Sequence, residues 1–162
     1  MLFDRSSQVA VQALVFLAQQ SPGKLSPTHE IALQAGVPGP YLAKIFQRLT
    51  NTGLVRTFRG SGKGVELGRP AESIRLSSVV SAVQGNLDSN KCVLGLSACS
   101  DENPCALHYE WLPLKTAITE MLEKTTLADL VRAVREHQTA SLPLHQSDSA
   151  SVDSAIGKAQ GR

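Results

Sequence analysis

The sequence predicts a mainly α fold with one small β-hairpin. Three observations carry this expectation. Apolar residues recur at helical spacing through much of the chain. A single stretch, residues 54–67, places β-favouring residues on both sides of a glycine-rich turn. Aromatic residues are 4% of the 162, within a hydrophobic content of 42%, so the core must be built from Leu, Val, Ile and Ala. That length suits one compact domain with an appendage.

The elements follow in order. Ser6 or Ser7 is positioned to cap a helix running to about Gln20, with Val9, Ala13, Phe16 and Leu17 on one face. Ser21-Pro22-Gly23 ends it. Ser26-Pro27 reads as an N-cap followed by an N1 proline. A short helix then passes through Ile31, Ala32 and Ala35 to Gly36 in a C′ role. After the turn at Val37-Pro38-Gly39, Pro40 opens a third helix to about Thr52. Its apolar face is Leu42, Ile45, Phe46 and Leu49; Tyr41, Lys44, Gln47 and Arg48 lie opposite. Two short helices joined by a tight turn after a longer one form a helix-turn-helix pattern, although a plain helical hairpin with a solvated face has the same spacing.

The next segment favours the first reading. Residues 54–59 and 65–67 flank Gly60-Ser61-Gly62-Lys63-Gly64, which predicts a hairpin wing with Arg59 and Lys63 at its tip. The expected architecture is therefore a winged helix-turn-helix. Gly-rich backbone with basic side chains suits phosphate or minor-groove contact. The glycine run fails as a nucleotide-binding loop, because Lys63 is followed by Gly64 and the first glycine of the phosphate-loop pattern is missing.

Charge is distributed in the same sense. The net +2 of the whole chain divides into +5 over residues 1–85, −3 over 86–137 and zero over 138–162. Residues 44–75 hold seven basic and two acidic groups, which points to a polyanion partner such as DNA. No apolar run approaches the roughly 18–20 residues of a membrane span. The first residues lack the basic region and cleavage site of a signal peptide, so no membrane partner and a cytoplasmic location are expected.

Beyond the wing, Ser77 or Ser78 is placed to cap a helix through Val79, Val80 and Val83 to Gly85. A long helix is expected from Leu107 or His108 to Lys124, with Trp111, Leu114, Ile118 and Met121 along one seam that a partner helix could cover. Thr126-Leu127-Ala128-Asp129 resembles a capping box with Asp in place of Glu and opens a last helix to about His137. The expected division is a winged helix-turn-helix at 1–85, a cysteine-bearing loop at 86–107, dimerisation helices at 108–137, and a Ser-, Ala- and Gln-rich disordered tail at 138–162. The long helix is expected to make a homodimer.

All three cysteines fall in that loop. Cys92, Cys99, Cys105 and His108 follow the pattern C-x6-C-x5-C-x2-H. Thiolates are soft ligands for iron–sulfur clusters, zinc or Cu(I). The absent C-x2-4-C knuckle argues against a structural zinc finger, and the loose loop suits a bulkier cluster. Three unconnected buried thiols are the bland alternative. His108 is either a fourth ligand or a surface group at a helix start.

The run from Arg59-Gly60-Ser61-Gly62-Lys63-Gly64 through Leu67-Gly68-Arg69-Pro70 to Ile74-Arg75-Leu76 closely resembles the wing segment of the BadM/IscR/NsrR winged-helix regulators, R-G-x-G-G-G-Y-x-L-A-R-P-x-x-x-I-x-L. Val83-Gln84-Gly85 is similar to that family's V-E-G, and residues 126–130 to its T-L-A-D-L; Tyr41-Leu42 sits where the recognition helix begins. The resemblance covers about residues 1–135. It implies a cytoplasmic DNA-binding transcriptional regulator that acts on double-stranded DNA as a homodimer. It also implies an iron–sulfur cluster, [2Fe-2S] or [4Fe-4S], on Cys92, Cys99 and Cys105, sensing redox state, iron or nitric oxide. His108 matches the fourth ligand of one branch. In another branch that ligand is an acid in the first helix of the partner; Gln8 stands at that position here, with Asp4 off register.

Thr28, Tyr41, Lys44 and Arg48, with Arg59 and Lys63 on the wing, are then the expected DNA contacts. Four departures stand out: Val65 for a tyrosine, Lys63 for a glycine, a first cysteine gap of six where five is usual, and Ala43 and Lys44 where polar readers are common. A cluster-free thiol or zinc regulator is the alternative. An enzyme is disfavoured, since no Ser-His-Asp ordering or paired-carboxylate motif is present.

Overall fold

The structure is a computed structural model that describes residues 3–60, 62–85, 92–96 and 99–136. Its helices are α1 (Arg5–Ala18), α2 (Thr28–Gln34), α3 (Gly39–Asn51), α4 (Leu76–Gln84), α5 (His108–Lys124) and α6 (Leu127–Glu136). Strands β1 (Val55–Phe58) and β2 (Gly64–Leu67) lie between α3 and α4, followed by a 3-10 turn at Ala71–Ser73. The mainly α expectation with a β-hairpin wing is met. The expected tail at 138–162 lies outside the described residues.

The core forms where apolar stripes meet. Val9, Ala10, Ala13, Leu14 and Leu17 make a continuous stripe along α1 at three- and four-residue spacing. Leu42, Ile45, Phe46 and Leu49 of α3, Ile31 of α2 and Val79 and Val83 of α4 close around it. Leu127 and Val131 of α6 join the same core. Within the chain α6 packs on α1 and on the turn after the wing. Its entry is fixed by a backbone exchange in which Leu76 N–H donates to the Thr125 carbonyl and Leu127 N–H to the Ile74 carbonyl, at 3.0 and 2.8 Å. The capping box is present. Thr126 N–H donates to the Asp129 carboxylate at 2.9 Å, and Asp129 N–H returns to the Thr126 hydroxyl at 3.2 Å. The Thr126 hydroxyl and amide, with Arg132 alongside, hold the Asp129 carboxyl below its ordinary range against a smaller opposing effect of burial.

Three helix starts differ from the sequence reading. Asp4, not Ser6 or Ser7, caps α1 by accepting the Ser7 amide at 2.7 Å. Ser7 is buried, and its hydroxyl donates to Gln84 instead. Ser26 does not cap α2. It exchanges backbone hydrogen bonds with Val65 at 3.0 and 2.9 Å and so adds a one-residue bridge to the wing. Helix α4 begins at Leu76, one residue before the proposed serine caps, because Leu76 is already engaged with Thr125.

The wing is a two-stranded antiparallel sheet with Val55 opposite Leu67 and Phe58 opposite Gly64. Two glycines let it seat on the helices. A Cβ on Gly64 would stand 2.9 Å from the Leu25 Cβ, and one on Gly68 would overlap the Gly53 carbonyl. Gly68 N–H also donates to the Leu54 carbonyl at 2.9 Å, so the close approach is held from both sides. Gly68→Ala is therefore expected to destabilise the fold by about 1–3 kcal/mol, the usual cost of overpacking a closed site. Urea denaturation measures this; an unchanged midpoint would show that the wing root moves freely.

Candidate metal centre and nucleic-acid face

Helix α3 presents its buried stripe to the core and leaves Ala43, Lys44, Gln47 and Arg48 exposed. Gly36, at φ 58°, ends α2 in the left-handed conformation and turns the chain tightly towards α3. Tyr41 is half-buried, and its hydroxyl donates to the Ser6 hydroxyl at 3.3 Å, which ties the start of α3 to α1. Thr28 is half-buried in the first turn of α2. Arg59 and Lys63 are exposed around the wing tip, where Gly60 and Gly62 have φ of 91° and 79°.

The basic run of residues 44–75 is less available than its charge suggests. Arg48 donates to the Val83 carbonyl. Arg56 pairs with Glu66 across the wing at 2.8 Å. Arg69 donates to the Thr52 and Gly53 carbonyls, and Arg75 to the backbone and carboxylate of Glu123. Lys44, Arg59 and Lys63 are exposed and have no such partner among the described residues. Arg5, also exposed, stands beside Ser6 and so near the start of α3. Arg5 falls within the +5 of residues 1–85 but outside the basic run of 44–75, far from the wing in sequence.

The cysteine loop leaves α4 at Gly85, whose φ of 89° disfavours any other residue, and returns at α5. Among the described residues it brings the Sγ atoms of Cys92, Cys99 and Cys105 within 4.8 Å of one another. Cys92 and Cys105 are 3.4 Å apart, far beyond the roughly 2.05 Å of a disulfide, and all three cysteines are free. Two thiolates on one tetrahedral ion at bonds of about 2.3 Å stand about 3.8 Å apart, so the sulfurs sit at metal-centre spacing. A multi-iron cluster needs them drawn further apart, and Val93, Leu94 and Leu96 beside them are exposed. The donor set of three thiols and one imidazole suits either group.

His108 opens α5, its N–H donating to the Cys105 carbonyl at 3.0 Å. Its Nδ1 lies 3.2 Å from the Cys99 Sγ, and its Nε2 2.9 Å from the Asp101 carboxylate. A cleft of about 250 Å³ opens beside them, lined in part by Cys92, Cys99, His108 and Trp111. Asp101 was not singled out in the sequence. It lies seven residues before His108, and the turn-forming run Ser100-Asp101-Glu102-Asn103-Pro104 was its available signal.

The thiols are not equivalent. Burial pushes the Cys92 thiol up, but the amides of Leu94 and Leu96 and the sulfurs of Cys105 and Cys99 outweigh it and bring it from 9.0 down to about 7. For Cys99 the Cys105 amide pulls downward, while burial and the neighbouring Cys105 and Cys92 sulfurs together push it above 9.0. The thiolate is the reactive form. In reduced, metal-free protein, iodoacetamide at pH 7 is expected to modify Cys92 ahead of Cys99, and the preference is expected to shrink above pH 9. Peptide mass spectrometry reads the order; equal labelling at pH 7 would refute the asymmetry.

Comparison with known proteins finds relatives over most of the chain. The Rrf2 family, described as iron-dependent transcriptional regulators, matches residues 3–133. The HTH-type transcriptional regulator IscR of Cronobacter sakazakii is 32% identical over 150 residues, covering 88% of this chain and 92% of that protein. IscR of Yersinia pseudotuberculosis is 35% identical over 122 residues, or 75% and 74% of the two chains. Among solved structures, T. potens IscR superposes with a TM-score of 0.66 at 27% identity over 83% of this chain and 89% of its own. CymR, the global cysteine regulator of B. subtilis, gives 0.69 at 22% identity over 81% and 96%, a likeness of fold.

Proposed function

Because the chain belongs to the Rrf2 family of transcriptional regulators, we propose that it is a cytoplasmic homodimer whose DNA affinity is set by an iron–sulfur cluster, [2Fe-2S] or [4Fe-4S], on Cys92, Cys99, Cys105 and His108. The observation that carries this is the gathering of three thiols within 4.8 Å in a member of a family described as iron-dependent. When bound, the group supplies a centre that responds to redox state, iron supply or nitric oxide. The remaining chemistry belongs to the chain. Lys44 offers a cation to the major groove, and Arg59 and Lys63 offer two to the flanking backbone. Tyr41 lies in the first turn of α3 and Thr28 in the first turn of α2. Arg48, expected from the sequence as a contact, serves as an anchor to the Val83 carbonyl.

Dimerisation is supported by what α5 leaves uncovered. Leu122 is its one buried residue, while Leu114 and Met121 are 57% and 47% exposed. A two-fold pairing along this seam would set two recognition helices about one DNA turn apart, roughly 34–36 Å. No helix among the described residues is long and apolar enough to cross a membrane. The sulfur spacing itself supports a second reading, a single tetrahedral ion such as zinc.

Anaerobic purification with absorbance, iron, sulfide and zinc analysis separates the two. Coloured protein with iron and sulfide is expected; colourless protein with one zinc per chain would establish the second reading. Leu114→Glu is expected to yield a monomer by analytical ultracentrifugation and to abolish operator binding, whereas an intact dimer would place the interface elsewhere. Six free cations per dimer predict that log K falls against log salt with a slope of about −5, and Lys63→Ala is expected to reduce the slope by about 2. Electrophoretic titration across salt measures both, and a flat response would remove these residues from the phosphates.

A further inference from the structure

His108 has two ring nitrogens and they face different groups. Nδ1 looks at the Cys99 sulfur, 3.2 Å away, and Nε2 at the Asp101 carboxylate, 2.9 Å away. The imidazole is largely enclosed, with 14% of its side chain exposed, whereas Asp101 is 86% exposed. An exposed ion pair contributes little to stability. Its value here is geometric. A carboxylate only accepts, so in the neutral imidazole the hydrogen bond requires the proton on Nε2 and leaves the Nδ1 lone pair directed at the Cys99 sulfur.

Asp101 is itself held in place by backbone. Ser100 N–H donates to the Asn103 carbonyl at 3.2 Å and Asn103 N–H to the Ser100 carbonyl at 3.1 Å. Asn103 N–H also meets the Ser100 hydroxyl at 3.2 Å. The turn closes around Asp101 and so places its backbone beside the imidazole. On the other side, the Tyr109 ring meets the imidazole edge-to-face at 5.1 Å and 84°.

We infer that Asp101 is a positioning residue, which fixes the Nε2–H tautomer and ring rotation of His108 so that Nδ1 is the ligand atom offered to the metal group. This rests on the iron–sulfur reading for its consequence but not for its geometry. A ligand histidine whose outer N–H is held by a carboxylate is a better and less mobile donor, and loss of such a partner typically costs about 10–100-fold in metal affinity. The fourth position then depends on a residue that is not itself a ligand. Asp101 lies two positions after Cys99, in the loop that the first three ligands share, so a loop movement that displaces one displaces the other.

The test has two arms. In the first, full-length wild type, Asp101→Ala, Asp101→Asn, His108→Ala and the Asp101→Ala/His108→Ala double variant are reconstituted anaerobically with ferrous iron and sulfide. Loss of visible absorbance under EDTA is then followed. Asp101→Ala is expected to lose colour about 10–100-fold faster than wild type. Asp101→Asn, whose amide oxygen still accepts a hydrogen bond, is expected to fall between them. The double variant is expected to match His108→Ala, because the two residues act through one nitrogen. Additive effects, or an Asp101→Ala rate equal to wild type, would overturn the inference.

The second arm uses reduced, metal-free protein and the 15N shifts of the His108 ring. Wild type is expected to show a protonated Nε2 and a bare Nδ1, with Asp101→Ala moving towards a mixed pair and Asp101→Asn restoring the wild-type shifts. A protonated Nδ1 in wild type would overturn the positioning role while leaving the cluster reading intact. Failure of wild type to take up iron would overturn the cluster reading, and the nitrogen shifts would still decide the role of Asp101.

Discussion

The last turn of α4 is the joint on which the remaining elements depend. The final carbonyls of a helix have no partner within it. Here the Val83 carbonyl accepts from the Arg48 guanidinium, a charge-assisted bond that reaches from the recognition helix. The next side chain, Gln84, accepts the Asp4 amide at 3.0 Å and the Ser7 hydroxyl at 2.8 Å, and so secures the first turn of α1. Gly85 then releases the chain into the cysteine loop. Three elements and the start of the loop thus meet within three residues. The end of α4 touches α3 through one arginine and α1 through one glutamine.

The same economy explains the distribution of positive charge. Arg56, Arg69 and Arg75 hold, respectively, the opposite strand of the wing, the turn before it and the end of α5. Arg56 and Arg69 tie the wing near its base, whereas Arg75 ties the segment after it to α5. The root is also glycine-bound, since Gly64 and Gly68 admit no side chain where the sheet meets Leu25 and Gly53. Arg59 and Lys63 are left as the exposed cations around the tip. Lys44 does the corresponding work on α3, where neighbouring Ala43 keeps the exposed surface low.

Much of this was legible in the sequence, for physical reasons that also explain the rest. The helices could be read because their buried faces repeat at 3.6 residues, as in Leu42, Ile45, Phe46 and Leu49. The hairpin was legible because Gly60, Gly62 and Gly64 interrupt a β-rich run, and the centre because every cysteine falls in one loop. Helix starts were less secure: Ser26 has the composition of a cap but its backbone is taken by Val65, a partner 39 positions away. A charge count cannot show that Arg48 reaches Val83 or that Arg75 reaches Glu123, because those pairings exist only after folding. Helix α6 follows α5 in sequence order, whereas within the chain Leu127 and Val131 find their burial against α1. Asp101 was hidden for the same reason, since its importance lies in a ring nitrogen seven residues on.

His108 joins two roles in one residue. It carries the imidazole next to the sulfurs, and it is also the first residue of α5, so the ring and the helix start share a backbone. Beyond that first turn, α5 buries one residue fully, Leu122 near the far end, and it meets α4. On the cluster reading, a group held by His108 would bear on the first turn of α5, and so on the surface proposed to meet the second copy. A ligand shifts an equilibrium only by the difference in its affinity for the two states. On that reading such a difference would arise at Nδ1 of His108 and reach α3 and α1 through the Val83 and Gln84 contacts at the end of α4.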